Sequence, residues 1–350
     1  MAPFPLPIPA AFIDSARACF ERAAQRAGLR RRNIAIGSLK LRLLFAGDRI
    51  HALMFPALAH LETAGDGPAA LEACFFDSES SATPMPPPPW DQQDYTNRGE
   101  IHGYNDGRVH VTYQPGVDIL NCLDSDRGLA VYWAPTWKLI PYWERSFPLR
   151  TILNWWLKGQ PYQPLHAGAV GYPEGGVLIA GESGSGKTTT TLACLASDLR
   201  YAGDDYVLAA TDPPARVYSL YNTAKLDDGG LARFPALARH LDNPHRCGDE
   251  KALIFLHQVD PARLVREFPL RAIVCPRVTG ERDTRLQPAR NLDAFLAIAP
   301  TTAGHLAGAR RQTVEKLLRL TRSVPCFTLQ AGTDLAQIPV AIARLIRELG

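Results

Sequence analysis

The sequence has no marked excess of either charge: 38 Lys and Arg stand against 35 Asp and Glu in 350 residues, a formal net charge of +3. Near balance excludes a chain-wide nucleic-acid groove or a strongly attracted membrane surface, so any basic site has to be local. Paired cysteines are missing as well. Cys19, Cys74, Cys122, Cys194, Cys247, Cys275 and Cys326 lie far apart, form no Cys-x-x-Cys unit and are odd in number, which fits reduced thiols in a cytoplasmic protein rather than a disulfide framework. No apolar run reaches the length of a bilayer span. Residues 1–12 are apolar and proline-rich but lack a basic flank, and they lead into a helical pattern with Asp14, Arg17 and Glu21, so they do not read as a signal peptide. No internal repeat is present.

What remains is a chain that is 46% hydrophobic, enough to fill one large domain or two ordinary ones. Phe12, Ala16, Cys19, Phe20 and Ala23 recur at helical spacing, which predicts an amphipathic helix from Ala10 to a C-capping Gly28. Leu39, Leu41 and Leu43 alternate with Lys40 and Arg42, the pattern of a half-buried strand over Ser38–Phe45. A helix is expected over His51–Leu61, with Pro56 arguing for a kink or a late start. The stiff run Met85-Pro86-Pro87-Pro88-Pro89-Trp90 reads as a rigid surface connection. Ile101–Tyr104 and Val109–Tyr113, joined by Asn105-Asp106-Gly107, make a hairpin. Ser146 looks like the N-cap of a hinge helix that runs to Gly159. All six tryptophans fall between Trp90 and Trp156, a cluster read as packing rather than a binding face.

From Gly176 the pattern becomes short apolar strands separated by helices, the mark of an α/β layer. Strands are expected at Gly176–Ala180, Arg200–Gly203 with a resumption through Tyr206–Ala210, Lys251–Gln258, Leu270–Pro276 and Pro325–Gln330. Helices are expected at Thr188–Leu199, Gly308–Arg322 and Ile338–Leu349.

One stretch carries specific chemistry. Gly181-Glu182-Ser183-Gly184-Ser185-Gly186-Lys187-Thr188 is a complete Walker A sequence; a buried-type strand leads into it, and a helix with Leu192, Leu195 and Leu199 follows. The glycines let backbone N–H groups turn inward onto phosphate oxygens, Lys187 reaches the β- and γ-phosphates, and the Thr188 hydroxyl is offered to Mg²⁺. The four specified positions arise by chance in roughly one chain in a hundred of this length, before strand and helix are required. ATP and Mg²⁺ are therefore the expected cofactors.

Asp204-Asp205 ends the strand expected after the loop helix, and in parallel sheets such strand ends gather at the ligand crevice. Neighbouring residues on extended backbone point apart, so one carboxylate can face the metal and the other the phosphate acceptor. His166 lies in the strand-like run Leu165–Val170 just before the phosphate strand, across the turn Tyr172-Pro173-Glu174-Gly175. On local sequence it reads equally as a phosphate neighbour or as a satisfied core histidine.

His166, the loop Gly181–Thr189 and Asp204-Asp205 together resemble the bacterial HPr serine kinase/phosphorylase, whose fold is related to phosphoenolpyruvate carboxykinase. Ile140–Arg145, Ser219–Lys225 and Pro325–Leu329 are similar to the HPr-kinase-related group, some members of which phosphorylate a serine of a lasso-peptide precursor. The resemblance implies an α/β P-loop kinase domain of this type over residues 151–350 and an N-terminal α+β domain over residues 1–150, the latter for substrate or partner recognition. By position it makes Lys187 a phosphate ligand, Thr188 and Asp204 the metal shell, Asp205 the proton acceptor and His166 a catalytic-site residue, and it extends the nucleotide-binding loop to Thr189. Thr189 stands where that family carries a glutamate, and the downstream glutamate-bearing signature has no counterpart. Lys225, Lys251 and Arg277 are conceivable replacements that touch phosphate, but each reads equally as a surface charge and none is assigned.

The reading that results is an ATP- and Mg²⁺-dependent serine kinase acting on a peptide or small protein, with no nucleic acid or membrane partner and with homo-oligomerisation left open. A nucleotide-gated binding module with slow ATPase activity and a small-molecule kinase are the alternatives. An oxaloacetate carboxykinase is disfavoured by length and by the lack of a second metal-ligand cluster in the sequence.

Overall fold

The computed structural model describes residues 9–350 except 66, 97, 98, 213 and 306–309. It is a mixed α/β structure of two compact units, one formed by Met1–Pro56 and Glu62–Trp156, the other by Ala57–Leu61 and Leu157–Gly350.

In the first unit, α1 (Pro9–Ala27), β1 (Leu29–Ile36), β2 (Leu39–Ala46) and α2 (Asp48–Met54) are followed by β3 (Leu71–Asp77) and the short α3 (Ser78–Ser81). Then come β4 (Glu100–Asn105), β5 (Val109–Gln114), β6 (Ile119–Asp124), β7 (Leu129–Ala134), α4 (Tyr142–Ser146) and α5 (Arg150–Trp156). The strands form one seven-stranded sheet in the order β1-β2-β3-β7-β6-β5-β4. The predicted apolar face of α1 covers it, with Phe12, Ile13, Ala16, Cys19 and Phe20 packed in the same core as Leu44, Phe76, Val131 and Trp133. Gly28 ends α1 at φ +84°, its N–H donating to the Ala24 carbonyl at 3.0 Å, as the C-cap glycine requires. The proline run is anchored at its end, where buried Trp90 meets Phe12 edge-on at 4.8 Å and donates to the Tyr95 hydroxyl at 2.9 Å.

Two helix expectations in this part are corrected. Ser146 is the last residue of α4 rather than an N-cap, because Leu149 takes a left-handed φ of +62° and the helix restarts at Arg150. The helix expected over His51–Leu61 breaks at Phe55; α2 stops at Met54 and a 3₁₀ turn runs from Pro56 to Leu61.

The second unit opens with β8 (Tyr162–Leu165), β9 (Gly168–Tyr172) and β10 (Gly175–Ile179), then α6 (Lys187–Ala193), β11 (Arg200–Gly203), β12 (Val207–Ala210) and β13 (Arg216–Ser219). After it follow β14 (Thr223–Leu226), α7 (Asp228–Arg233), β15 (Ala252–Phe255), α8 (Leu256–Val259), β16 (Glu267–Val278) and β17 (Arg285–Ala289). The unit closes with α9 (Asn291–His305), α10 (Arg310–Ser323), β18 (Cys326–Ala331) and α11 (Gln337–Leu349); Gly308, where the sequence starts α10, lies outside the described residues.

Among the described residues nine strands make its main sheet, in the order β11-β9-β10-β16-β13-β12-β8 with β18 beside β16 and β17 beside β18, while β14 and β15 form a separate two-stranded ribbon. The buried-strand reading of β10 holds because both its faces are covered: Leu178 lies in one core with Ala294, Ile298, Leu317 and Leu320 of α9 and α10, and Val177 and Ile179 lie in another with Ile338, Ile342 and Leu345 of α11.

Three expectations change here. The phosphate-loop helix ends at Ala193 and tightens into a 3₁₀ turn, Cys194–Ala196, after which extended Ser197 accepts the Leu199 N–H on its hydroxyl. β11 and β12 are not one interrupted strand, since β11 pairs with β9 and β12 pairs with β8 and β13. The strand expected over Lys251–Gln258 is only four residues long, lies in the ribbon with β14 and gives way to α8.

Candidate active site

β9 runs antiparallel between β10 and β11, with Gly168 opposite Ile179 and Ala169 opposite Gly203. The start of β9 therefore lies at the C-terminal ends of both neighbours. His166 just before β9, the loop after β10 and Asp204-Asp205 after β11 consequently leave the sheet at the same edge. The crevice argument reached the right edge although the strand between the two carriers is antiparallel.

Gly168 makes this convergence close. A Cβ there would come within 2.5 Å of the Thr191 Cγ2, 3.2 Å of the Asp204 carbonyl oxygen and 3.3 Å of that of Gly203. Only a residue without a side chain lets α6 and the end of β11 approach β9 so nearly.

In the loop, Gly184 and Gly186 take φ of +80° and +100°, conformations glycine adopts without steric cost, and Gly186 is the residue from which α6 starts. Glu182, Ser183 and Gly184 are exposed, Ser185, Gly186, Thr188 and Thr189 half-buried, and Gly181 and Lys187 buried. The Lys187 ammonium turns back into the loop and donates to the carbonyl oxygens of Gly181 at 2.8 Å and Glu182 at 3.0 Å. Burial pulls its pKa down, against the charges of Asp205 and Asp204 that raise it.

The two aspartates have different surroundings. Asp204 is 2% exposed, and its Oδ1 accepts from the Thr191 hydroxyl at 3.0 Å. Its Oδ2 is buried with no hydrogen-bond partner among the described residues. Burial and then the charge of Asp205 push the Asp204 carboxyl upward, only partly offset by Thr188, Thr191 and Lys225. Asp205 is half-buried, and its desolvation alone would raise it, yet His166 and Lys225 outweigh that and hold it below the usual carboxylate range. His166 Nε2 lies 3.5 Å from its Oδ1 and Lys225 Nζ 2.9 Å from its Oδ2. The His166 backbone N–H donates to Thr302 Oγ1 at 3.2 Å, and its ring stands 5.2 Å from that of Tyr206.

These donors fit Mg²⁺. An orphaned buried carboxylate oxygen on Asp204 and the hydroxyl of Thr188 are hard oxygen ligands. That is the set expected for an ion bound by one carboxylate, one hydroxyl and the phosphates of a nucleotide, with water completing its shell.

Every residue that sequence singled out at the loop, at Asp204-Asp205 and at His166 is thus brought to one edge. Of the three basic candidates, Lys225 touches Asp205, Lys251 is close enough for its charge to act on Lys187, and Arg277 acts instead on Cys275 and Asp293. Sequence reasoning missed Gly168 and Thr191. Thr191 lies four residues after Lys187, one helical turn along the same face, a signal that could have found it.

No protein-family model matches the sequence, and no curated protein does. Among solved structures the chain is similar to one described as the structure of the Hpr(Ser) kinase/phosphatase from Coxiella burnetii, at 13% identity and a TM-score of 0.31, covering 53% of this chain and 89% of that one. So slight a likeness carries no weight for fold or function. No described helix is long and apolar enough to cross a membrane.

Proposed function

We propose that the chain is an ATP- and Mg²⁺-dependent phosphotransferase that phosphorylates a serine hydroxyl of a peptide or small protein, such as an HPr-like protein or a lasso-peptide precursor. The observation that supports it best is the meeting of the phosphate loop with an unequal carboxylate pair and His166 at one sheet edge. A phosphoryl-transfer site needs a phosphate cradle, a metal anchor and an acceptor base, and each has a separate candidate here.

The loop from Gly181 to Thr189 holds the nucleotide phosphates through backbone N–H groups, and Lys187 leaves the carbonyls of Gly181 and Glu182 for phosphate oxygens. Asp204 and Thr188 hold Mg²⁺, which when bound offsets the negative charge of the phosphates. Asp205, kept ionised by His166 and Lys225, accepts the acceptor hydroxyl proton as the bond from the γ-phosphorus to ADP breaks and the bond to the acceptor oxygen forms. His166 fixes the Asp205 carboxylate from one side.

Intact-mass measurement of candidate peptides after incubation with the protein, ATP and Mg²⁺ tests this reading. A mass gain of one phosphate that depends on a serine supports it. ATP binding with no phosphorylated product from peptides, proteins or small hydroxyl compounds would favour the nucleotide-gated module instead.

A further inference from the structure

We propose that the β14–β15 ribbon is a second phosphate-binding element, in which Lys225 and Lys251 read the γ-phosphate of the nucleotide from the side facing Lys187. The inference rests on the phosphate-loop reading above.

The ribbon's register places the two lysines together. Lys225 pairs with Leu253, and Lys251 stands immediately before β15, two residues ahead of Leu253, so continued alternation of the chain puts it on the Lys225 side of the ribbon. The opposite face, with Ala224, Leu226, Ala252 and Ile254, is fixed in an apolar core with Leu192 and Tyr201. Lys225 reaches Asp205 at 2.9 Å, and Lys251 is near enough to depress the Lys187 ammonium. The ammonium groups of Lys187 on α6 and Lys225 on β14 thus converge where the loop and the acceptor base meet, with Lys251, just before β15, near enough to act on Lys187. Mutual repulsion makes such a grouping costly unless anions balance it. A phosphate that carries the transferring charge does.

The ribbon is also held rigidly, as a ligand-reading element has to be. The Tyr201 hydroxyl, on the strand that carries the aspartates, donates to the Thr223 carbonyl at 2.5 Å. Asn243 clamps the start of β15, donating to the Lys251 carbonyl at 2.9 Å and accepting the Leu253 N–H at 2.8 Å. At the other end the Leu256 N–H donates to the Asn222 carbonyl at 2.8 Å. Positive charge on a fixed strand pair is pre-organised for an anion, whereas the same lysines on a loop would lose side-chain and backbone freedom on binding.

Calorimetric titration of Mg-ADP and of a non-hydrolysable Mg-ATP analogue into wild type, Lys225→Met, Lys225→Arg and Lys251→Met tests this without any acceptor. Wild type is expected to bind the triphosphate at least about tenfold more tightly than ADP, and Lys225→Met to lose most of that preference while ADP affinity stays within about threefold. Lys225→Arg keeps the preference, and Lys251→Met loses a smaller part. An unchanged preference in Lys225→Met overturns the proposal, as does a loss that falls equally on both nucleotides or that Arg does not restore, since either marks a structural lysine. A variant that does not fold counts the same way. Wild type binding neither nucleotide removes the phosphate-loop reading itself and the ribbon's role with it, whereas equal affinity for both removes the ribbon's role alone.

Discussion

His166 and Asp205 face one another where β9 begins and β11 ends, with the imidazole Nε2 3.5 Å from Oδ1 of the carboxylate, while Lys225 occupies Oδ2 at 2.9 Å. Both oxygens of Asp205 therefore have cationic or hydrogen-bonding neighbours, whereas on Asp204 only Oδ1 is served, by the Thr191 hydroxyl. Two adjacent carboxylates in one buried site resist ionising together, and the uneven partners decide which of them stays charged.

Asp205→Asn should consequently leave nucleotide binding within about threefold of wild type and lower phosphoryl transfer by a factor of roughly 10² or more, the usual contribution of a general base. Labelled-phosphate transfer and nucleotide titration on the same preparation check it. Normal transfer in this variant would remove Asp205 from its role.

Lys187→Ala should act on binding first. A charge contact at about 4 Å is worth roughly 4 kcal/mol at an effective dielectric near 20, so loss of a phosphate contact should weaken Mg-ATP binding by well over tenfold. Nucleotide titration reads this directly. An unchanged affinity would show that the ammonium stays on the carbonyls of Gly181 and Glu182 when nucleotide binds.

The loop, the carboxylate pair and His166 were legible because each is a local pattern: a glycine run with lysine, an Asp-Asp at a strand end, a histidine one hairpin upstream. Their distances were not, since they depend on β9 entering between β10 and β11, a pairing that no short pattern encodes. Lys225 illustrates the same limit. From sequence it is one of three basic candidates that read equally as surface charges, and only the ribbon's register turns it toward Asp205. Ser146 misled because a serine before an apolar helical pattern is a good N-cap signal, and the left-handed Leu149 that interrupts the helix leaves no trace in residue type.

Gly168→Ala tests the packing beneath the site. Its added methyl group would collide with Thr191 Cγ2 at 2.5 Å and press on the Asp204 carbonyl oxygen at 3.2 Å, so a loss of roughly 1–3 kcal/mol is expected from overpacking. Thr191→Ser removes that Cγ2 while keeping the hydroxyl that serves Asp204. The double variant should therefore recover part of the stability lost by Gly168→Ala alone, as measured by urea unfolding. Strict additivity of the two changes would show that Thr191 is not the obstacle.

The stability of the second unit should depend on pH through His60. Its Nε2 lies 2.6 Å from Ser219 Oγ, and its Nδ1 lies 3.2 Å from Asn222 Nδ2. The orientation of Asn222 is fixed, because its Oδ1 accepts from the His257 N–H at 3.3 Å and its Nδ2 also donates to the Ala57 carbonyl at 2.9 Å. Nδ1 of His60 must then be an acceptor, and a proton there would face another donor. Burial first, then the charges of His257 and Arg266, push the His60 pKa down to about 3. The unfolded chain, titrating near about 6.5, binds a proton that the folded chain refuses, so the contribution is complete above that pH and is lost as pH falls toward 3. The slope is at most about 1.4 kcal/mol per pH unit, or roughly 2 kcal/mol between pH 7 and 5. Denaturation followed by far-ultraviolet circular dichroism is the suitable probe, because all six tryptophans lie in the other unit. His60→Gln cannot titrate, so its stability should fall less over the same interval than that of wild type. Equal losses in the two proteins would exclude His60 as the group responsible.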